Sequence, residues 1–229
     1  MTRFILALVL IVVMGICNCS CIQKLEDNET GKTEAKLPLT REKVIIYVSQ
    51  DTSGDFRVDP NEDASKKIQE AINYVAAKGG GIVKIYPGNY KILSTIIGRD
   101  GVNVIGFGKE TIWDVSEIGN NTVIILGDNA VFQAIKIVGS IEPLPVEFTG
   151  KIIAGNNTLI RDIYILSNGY GIETTGRKNV TIEDCIFKNI RDRKGYAAAI
   201  HASRDANGIF IRNVTIIGCN RGIEVEDGA

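Results

Sequence analysis

The single histidine of the chain, His201, lies where its charge could matter for binding. It ends the short segment Ala-Ile-His, and two similar segments end in Glu173 and Glu224. If the isoleucine of each segment points into a core, alternation along a strand turns these three polar side chains outward. An imidazole among carboxylates is then either a stabilised surface ion pair or part of a binding site. The pattern predicts one column of polar side chains on an outer face.

The segment before His201 adds basic and aromatic side chains. Arg191, Arg193 and Tyr196 belong to the longest insertion between neighbouring repeats, Asn189 to Tyr196. Guanidinium groups pair with carboxylates, and a tyrosine ring offers a flat apolar face to a sugar. Ordinary solvated residues are the alternative interpretation. We predict a substrate-binding face for a charged polysaccharide, with no assigned catalytic residue, formed by Glu173, Arg191, Arg193, Tyr196, His201 and Glu224.

Short strands must position these side chains, because the surrounding sequence has no helical period. Runs rich in β-branched residues recur between glycine and asparagine turns, at spacings from the low to the high twenties. In the last three units a second strand follows the opening run and a third closes the unit. The opening runs begin at Val102, Ala130, Thr158, Val180 and Ile209.

A unit of three short strands cannot fold alone, because each strand leaves backbone hydrogen-bonding groups unpaired. Stacking the units pairs those groups and produces three parallel sheets around one core. The sequence therefore predicts an all-β chain folded as a right-handed parallel β-helix of about five coils. An antiparallel sandwich is the rival fold, and it explains the short strands but not their recurring order.

One helix is predicted before the repeats. An apolar stripe with helical spacing extends from Ile68 through Ile72 to Val75, and the glycines at 79–81 predict the helix end. Asp59 or Asp63 is the candidate N-cap residue. Since only one helix face is apolar, the helix must cover another apolar surface, and we predict an amino-terminal capping α-helix.

Three motifs around this helix carry a family resemblance. They are Ile-Gln-Glu-Ala-Ile at 68–72, Gly-Gly-Gly-Ile-Val-Lys-Ile-Tyr-Pro-Gly-Asn-Tyr at 79–90 and Val-Ile-Gly-Phe-Gly at 104–108. They resemble the amino-terminal cap and the next coil of pectin-lyase-like β-helix proteins. The resemblance extends from Val44 to Ala229 and implies a helix that plugs one end of the coil. It is specific for the fold and only weakly specific for an activity.

The resemblance implies several chemistries, because the superfamily includes pectate lyases, polygalacturonases, pectin methylesterases and surface proteins without a known reaction. Residues 47–56 resemble the opening strand of the methylesterases, but the aspartate segments that those esterases use for catalysis have no counterpart downstream. The Asn-Thr-Asp, Asp-Asp and Gly-His-Gly signatures of polygalacturonases are absent from the sequence. Lyase chemistry would need acidic calcium ligands beside a base. We therefore predict no cofactor, and calcium only if the chain is a lyase.

Two functions remain open at the level of sequence. The first is an exported cell-surface module that binds or is associated with polysaccharide. The second is a carbohydrate-active enzyme, either a polysaccharide lyase or a glycoside hydrolase, that is divergent or truncated.

The amino-terminal residues predict export to the cell surface or the extracellular space. A basic start precedes an uninterrupted apolar or glycine run from Phe4 to Ile16, as in a signal-peptide core. Cys21 follows a serine, as a lipidated cysteine would, whereas Asn18 and Cys19 depart from a lipobox. Residues 1–21 are therefore predicted to be a signal peptide that ends either at a lipidated Cys21 or at an ordinary cleavage site. Membrane contact is expected only through this segment.

The rest of the chain divides into a tether and a folded domain. Residues 22–43 are polar and charged without any period, which predicts a tether. Residues 44–229 form the predicted β-helix domain. Its last residues stop within or just after a closing strand, so the domain is predicted to be incomplete at the C-terminal end. An uncapped coil of this kind could associate end to end with another copy.

The net charge, the cysteines and the glycosylation motifs indicate which partners, metals and modifications are expected. A formal net charge of −1 gives no basis for nucleic-acid binding. Cys185 and Cys219 are predicted core residues, and no metal site is expected from the cysteines and His201. Four Asn-x-Ser/Thr motifs of the folded domain fall in predicted turns and are candidate glycosylation sites: Asn120, Asn156, Asn179 and Asn213.

Overall fold

The computed structural model describes residues 43–143 and 150–226. The predicted signal peptide, Cys21 and the tether up to residue 42 lie outside the described residues. Within the described ranges, no helix is long and apolar enough to cross a membrane.

The described chain contains one helix, α1, followed and preceded by short strands. The helix is Ala64–Ala77. The strands are β1 Val44–Ser49, β2 Phe56–Arg57, β3 Gly81–Ile85, β4 Gly88–Lys91, β5 Ile96–Ile97, β6 Val102–Asp114, β7 Ile124–Ile125, β8 Val131–Val138, β9 Gly150–Ile153, β10 Leu159–Leu166, β11 Tyr170–Glu173, β12 Lys178–Glu183, β13 Ile186–Lys188, β14 Ala198–Ala202, β15 Asn207–Arg212, β16 Thr215–Ile217 and β17 Arg221–Val225.

The strands stack into three faces. The first face contains β1, β3, β12, β15 and the first halves of β6, β8 and β10, and the second contains β4, β13, β16 and the second halves of those long strands. The third face is a separate sheet in the order β17-β14-β11-β9-β7-β5. Every strand pair among the described residues is parallel, which rules out the antiparallel sandwich.

The register of the stacked strands confirms the predicted repeat. On the first face Phe132, Ile160 and Ile182 are aligned in successive coils, and on the third face Ile172 is aligned with Ile200. These inward side chains are fully buried and fill the interior of the coil. The third face has six described strands, whereas the sequence predicted about five coils. The difference arises from two-residue strands such as β5, which carry almost no sequence signal.

Asparagine residues form the corner between the third and first faces. Asn129, Asn157 and Asn179 all have positive φ, near 55°, where asparagine is tolerated better than most residues. The side-chain amide of Asn157 donates to Asn129 Oδ1 at 3.2 Å, and that of Asn179 donates to Asn157 Oδ1 at 3.0 Å. In this asparagine ladder, the side-chain amides therefore hydrogen-bond to equivalent residues of neighbouring coils. Gly208 has the same left-handed backbone conformation at the next corner.

Helix α1 caps the first coils as predicted. Asp63, rather than Asp59, is the N-cap residue, and its carboxylate accepts a hydrogen bond from the Ser65 amide at 3.0 Å. Ile68, Ile72 and Val75 are fully buried as the helix packs against β1, β3 and β5.

The last described coil buries its apolar residues less well. Ile223 aligns with Ile200 but is 50% exposed, and Val225 is 66% exposed. Among the described residues no strand pairs with the far side of β17. End-to-end association through this coil stays a prediction.

Candidate functional site

Strands β11, β14 and β17 place three polar residues in register on the third face. Glu173 pairs with His201, and His201 pairs with Glu224. The column predicted from the sequence is therefore present. Two residues further along the chain, Thr175 and Ser203 form a second polar row, joined by a hydroxyl–hydroxyl contact of 3.0 Å.

Glu173 fixes the orientation of the His201 ring. Its Oε2 atom lies 2.7 Å from His201 Nδ1, and the two side chains are only 13% and 11% exposed. Since a carboxylate accepts hydrogen bonds, it favours, in the neutral ring, the tautomer that carries the proton on Nδ1. The ring of Tyr170 lies edge-on to the imidazole, with centroids 5.7 Å apart. Nε2 is thereby left as the acceptor atom, and it lies 3.5 Å from Glu226 Oε2.

Glu224 completes a compact group of possible ligand atoms. One of its carboxylate oxygens pairs with the Arg221 guanidinium. The other, Oε2, is buried and has no hydrogen-bond partner among the described residues. One donor atom each from His201, Glu224 and Glu226 lie within 4.8 Å of one another. Together with Glu173 we call these residues the His201 cluster.

The His201 cluster opens into a groove on the third face. The groove has a volume of about 550 Å³. Carboxylate, imidazole, hydroxyl and guanidinium groups are combined in its lining, so it can both donate and accept hydrogen bonds. Its lining residues are Glu173, Thr175, His201, Ser203, Arg204 and Glu226.

Tyr196 is held beside the cluster by Asp192 and Arg221, two residues that the sequence analysis missed. Asp192 organises the loop, because its Oδ1 atom accepts hydrogen bonds from the amides of Lys194, Gly195 and Tyr196. The Arg221 guanidinium lies over the Tyr196 ring, 5.0 Å from the centroid, while it also pairs with Glu224. The ring is 41% exposed. The position of Arg221 at the start of a closing strand was the available signal for its role.

The two predicted arginines do not join the groove lining. Arg191 Nε donates to the carbonyl oxygen of Gly218, and Arg193 Nε donates to that of Pro143 at 3.1 Å. Both guanidinium groups are therefore engaged with backbone from distant parts of the sequence. Of the six predicted site residues, the structure brings Glu173, His201 and Glu224 together, with Tyr196 beside them.

Burial changes the acidity of nearby hydroxyl and thiol groups. Desolvation raises the pKa of Tyr170, and the charge of Asp192 raises it further. Desolvation also raises the pKa of the Cys185 thiol to about 12 and raises the pKa of Cys219 above its usual value. The phenol and both thiols therefore stay neutral at physiological pH.

Three of the candidate glycosylation sites already use their side-chain amides in contacts between coils. A glycan would be attached to the Nδ2 atom of the asparagine. This atom donates a hydrogen bond to Asp128 in the case of Asn156, to Asn157 in the case of Asn179, and to Asp184 in the case of Asn213. A glycan on any of these three would disrupt a contact between coils. Glycosylation, including that at Asn120, stays a prediction.

Known structures resemble this fold. A candidate glycosyl hydrolase from Parabacteroides merdae is 15% identical with a TM-score of 0.51, over 76% of this chain and 96% of that one. The A-module of the mannuronan C-5 epimerase AlgE6 from Azotobacter vinelandii is 17% identical with a TM-score of 0.51. That match covers 71% of this chain and 54% of the module, so this chain corresponds to about half of it. At these identities the similarity establishes the fold alone.

Sequence comparison leads to the same architecture. No curated protein shows significant sequence similarity to the chain. The family described as "Right handed beta helix region" matches residues 80–229, which is well over half of the chain. With its parallel coils and capping helix, this chain belongs to the right-handed β-helix family.

Proposed function

We propose that this protein is an exported cell-surface β-helix module that binds an acidic polysaccharide along its third face. The observation that supports this most directly is the groove beside His201, which is lined by hydroxyl, carboxylate, imidazole and guanidinium groups. Sugar-binding sites need many donors and acceptors together with an aromatic surface. The signal-like amino terminus supports a location where such polymers occur.

Several residues in or near the groove each have a defined role in the proposed polysaccharide binding. Exposed Arg204 is available to pair with a uronate carboxylate, because it has a charge opposite to that of the sugar. Thr175 and Ser203 contribute adjacent hydroxyls to the lining of the groove. Tyr196 supplies a flat face next to the His201 cluster, where Arg221 lies over its ring and pairs with Glu224.

Isothermal titration calorimetry of the full-length chain tests this proposal with a polyuronate and a neutral polysaccharide. Arg204→Ala and Tyr196→Ala are each expected to weaken polyuronate binding by about tenfold or more, a loss of about 1.4 kcal/mol. Tyr74→Ala is the matched control, since Tyr74 is a similarly exposed tyrosine, 45% against 41%, on the capping helix. Equal binding by all variants, or no binding to either polymer, would exclude this face as the site.

A carbohydrate-active enzyme is the second candidate, and the Glu173–His201 pair favours it. A carboxylate that holds Nδ1 leaves Nε2 free to take a proton, as a general base requires. Incubation with polyuronates should then yield new reducing ends or unsaturated products, and His201→Ala should abolish them. Product formation that persists in His201→Ala would eliminate this histidine as the base.

A further inference from the structure

We infer that His201, Glu224 and Glu226 form a binding site for one divalent transition-metal ion of the zinc type. The inference stands independently of polysaccharide binding, because it rests on the side chains of the cluster and not on the groove as a sugar site. Each of the three residues contributes one ligand atom, and these atoms lie within 4.8 Å of one another.

The tautomer of His201 is suited to a metal ligand. Glu173 accepts a hydrogen bond from Nδ1 at 2.7 Å, so the lone pair of the neutral ring is on Nε2, on the side of Glu226. Metal-binding histidines usually donate their second ring nitrogen to a carboxylate, because this fixes the ring and raises its basicity. Glu173 is therefore a positioning residue and not a ligand.

A buried, unpartnered acceptor is the second observation. Glu224 Oε2 has no hydrogen-bond partner among the described residues, although the whole side chain is only 12% exposed. A buried carboxylate oxygen without a donor is costly, so each such atom in a folded protein requires an explanation. A cation bound by Glu224 supplies the missing partner.

The local charge balance points the same way. Glu173, Glu224 and Glu226 bring three carboxylates to one imidazole, whereas Arg221 pairs with only one of them. Arg204, the other cation on this part of the third face, lines the groove without a described ion pair. Like charges at this separation repel each other, and a divalent ion would reverse the sign of the interaction.

The donor set selects the class of ion. Imidazole nitrogen combined with carboxylate oxygen suits zinc, whereas calcium and magnesium favour sites made entirely of oxygen. Three protein ligands leave one position of a tetrahedral zinc site open to a further ligand. A water molecule or a sugar oxygen could occupy it, as in zinc sites with an open position.

NMR provides a direct test, because His201 is the only histidine of the chain. Zinc is titrated into the chelator-treated, full-length protein while the single imidazole Cε1–Hε1 signal is recorded. We expect that signal to shift and to saturate at one zinc per chain. Zinc uptake without a shift of the signal would assign the metal to other residues, such as the cysteines, and would overturn the inference.

Variants distinguish the ligands from their surroundings. Glu226→Gln and Glu173→Gln are each expected to raise the zinc dissociation constant by about 10–100-fold. Glu117→Gln is the matched control, because Glu117 is a comparably exposed glutamate, 64% against 55% for Glu226, far from the cluster in sequence. Zinc affinity that is equal in Glu226→Gln and in the unmodified chain would also overturn the inference. No polysaccharide is present, so failure here is distinct from failure of the proposed function.

Discussion

The capping end and the His201 cluster bury very different groups. At the cap, Ile68, Ile72 and Val75 are completely buried against apolar neighbours. At the cluster, His201 is nearly buried, and Glu224 has a carboxylate oxygen without a donor. Burial of apolar surface favours folding, whereas burial of poorly satisfied charge opposes it. The cap is therefore a source of stability, whereas the cluster retains poorly satisfied polar groups, as the proposed metal site requires.

The asparagine ladder, whose side chains are exposed, shows that stacked polar residues can instead satisfy one another. Asn157 both donates to Asn129 and accepts from Asn179, so its amide is satisfied by equivalent residues in the coils above and below. The His201 cluster stacks unlike groups, and its hydrogen bonds are not closed in the same way. Stacks of identical residues stabilise the coil, whereas mixed stacks leave atoms available to a ligand.

The largest effect on stability is expected at the cap. Truncation of Ile72 to Ala removes a fully buried side chain and should reduce the free energy of unfolding by about 2–5 kcal/mol. Zinc affinity should stay unchanged, because the cap is distant from β14 in the stack of strands. Urea denaturation and the NMR titration measure the two quantities. A loss of zinc binding at temperatures where the variant is folded would break the separation between the two regions.

A slightly smaller loss is expected in the asparagine ladder. Asn157→Val should cost about 1–3 kcal/mol, because it forces a β-branched residue into positive φ and removes two solvent-exposed amide hydrogen bonds. Asn157→Gly is the control that keeps the backbone conformation accessible and removes only the hydrogen bonds. Denaturation curves for both variants separate the two terms. If valine and glycine behave alike, the backbone conformation does not contribute.

The substitution Glu226→Gln should leave stability almost unchanged. Glu226 is 55% exposed, so in the presence of chelator we expect a change within about 0.5 kcal/mol. The same substitution is expected to weaken zinc binding strongly, which is the opposite profile to that of Ile72→Ala. Thermal denaturation with and without zinc tests this contrast. A destabilisation as large as that at the cap would mean that the cluster also supports the fold.

The Cys185 thiol should be unreactive in the folded protein at pH 8. At this pH its ionisation should not change the free energy of unfolding. Burial raises its pKa to about 12, so the thiol stays protonated and inaccessible to iodoacetamide. Because the folded pKa lies above the ordinary thiol pKa of 9.0, the free energy of unfolding should fall as pH rises from about 9 towards 12. Mass spectrometry of alkylated protein, with and without urea, tests the reactivity. Rapid labelling without urea would show that this part of the core opens.

The sequence predicted the coils well, because their signals are local. Positive-φ corners need asparagine or glycine, and the β-branched runs between them set the register of Phe132, Ile160 and Ile182. The same rules placed Glu173, His201 and Glu224 in one column. By contrast, β5 and β7 contain two residues each and do not stand out from the loops around them.

The site was harder to predict, because long side chains can reach in several directions. Arg193 is drawn to the carbonyl of Pro143, 50 residues earlier in the chain, which no local pattern indicates. Arg221 binds Tyr196 and Glu224 at once, and that choice depends on rotamers in the packed structure. The sequence placed Glu226 in a neighbouring column, but its approach to His201 became visible only in three dimensions.

A recurring coil length of 28 residues gives the molecule a natural unit of growth, whereas the coil from Asn157 to Asn179 spans 22 residues. Side-chain hydrogen bonds join Asp100 to Asp128, Asp128 to Asn156 and Glu173 to His201, and each pair is 28 residues apart. Because a coil contacts mainly the coils next to it, duplication or deletion of one such unit would keep the register of the others. Genes for chains of this kind can therefore change length in whole coils, and a groove formed by neighbouring coils would be inherited intact.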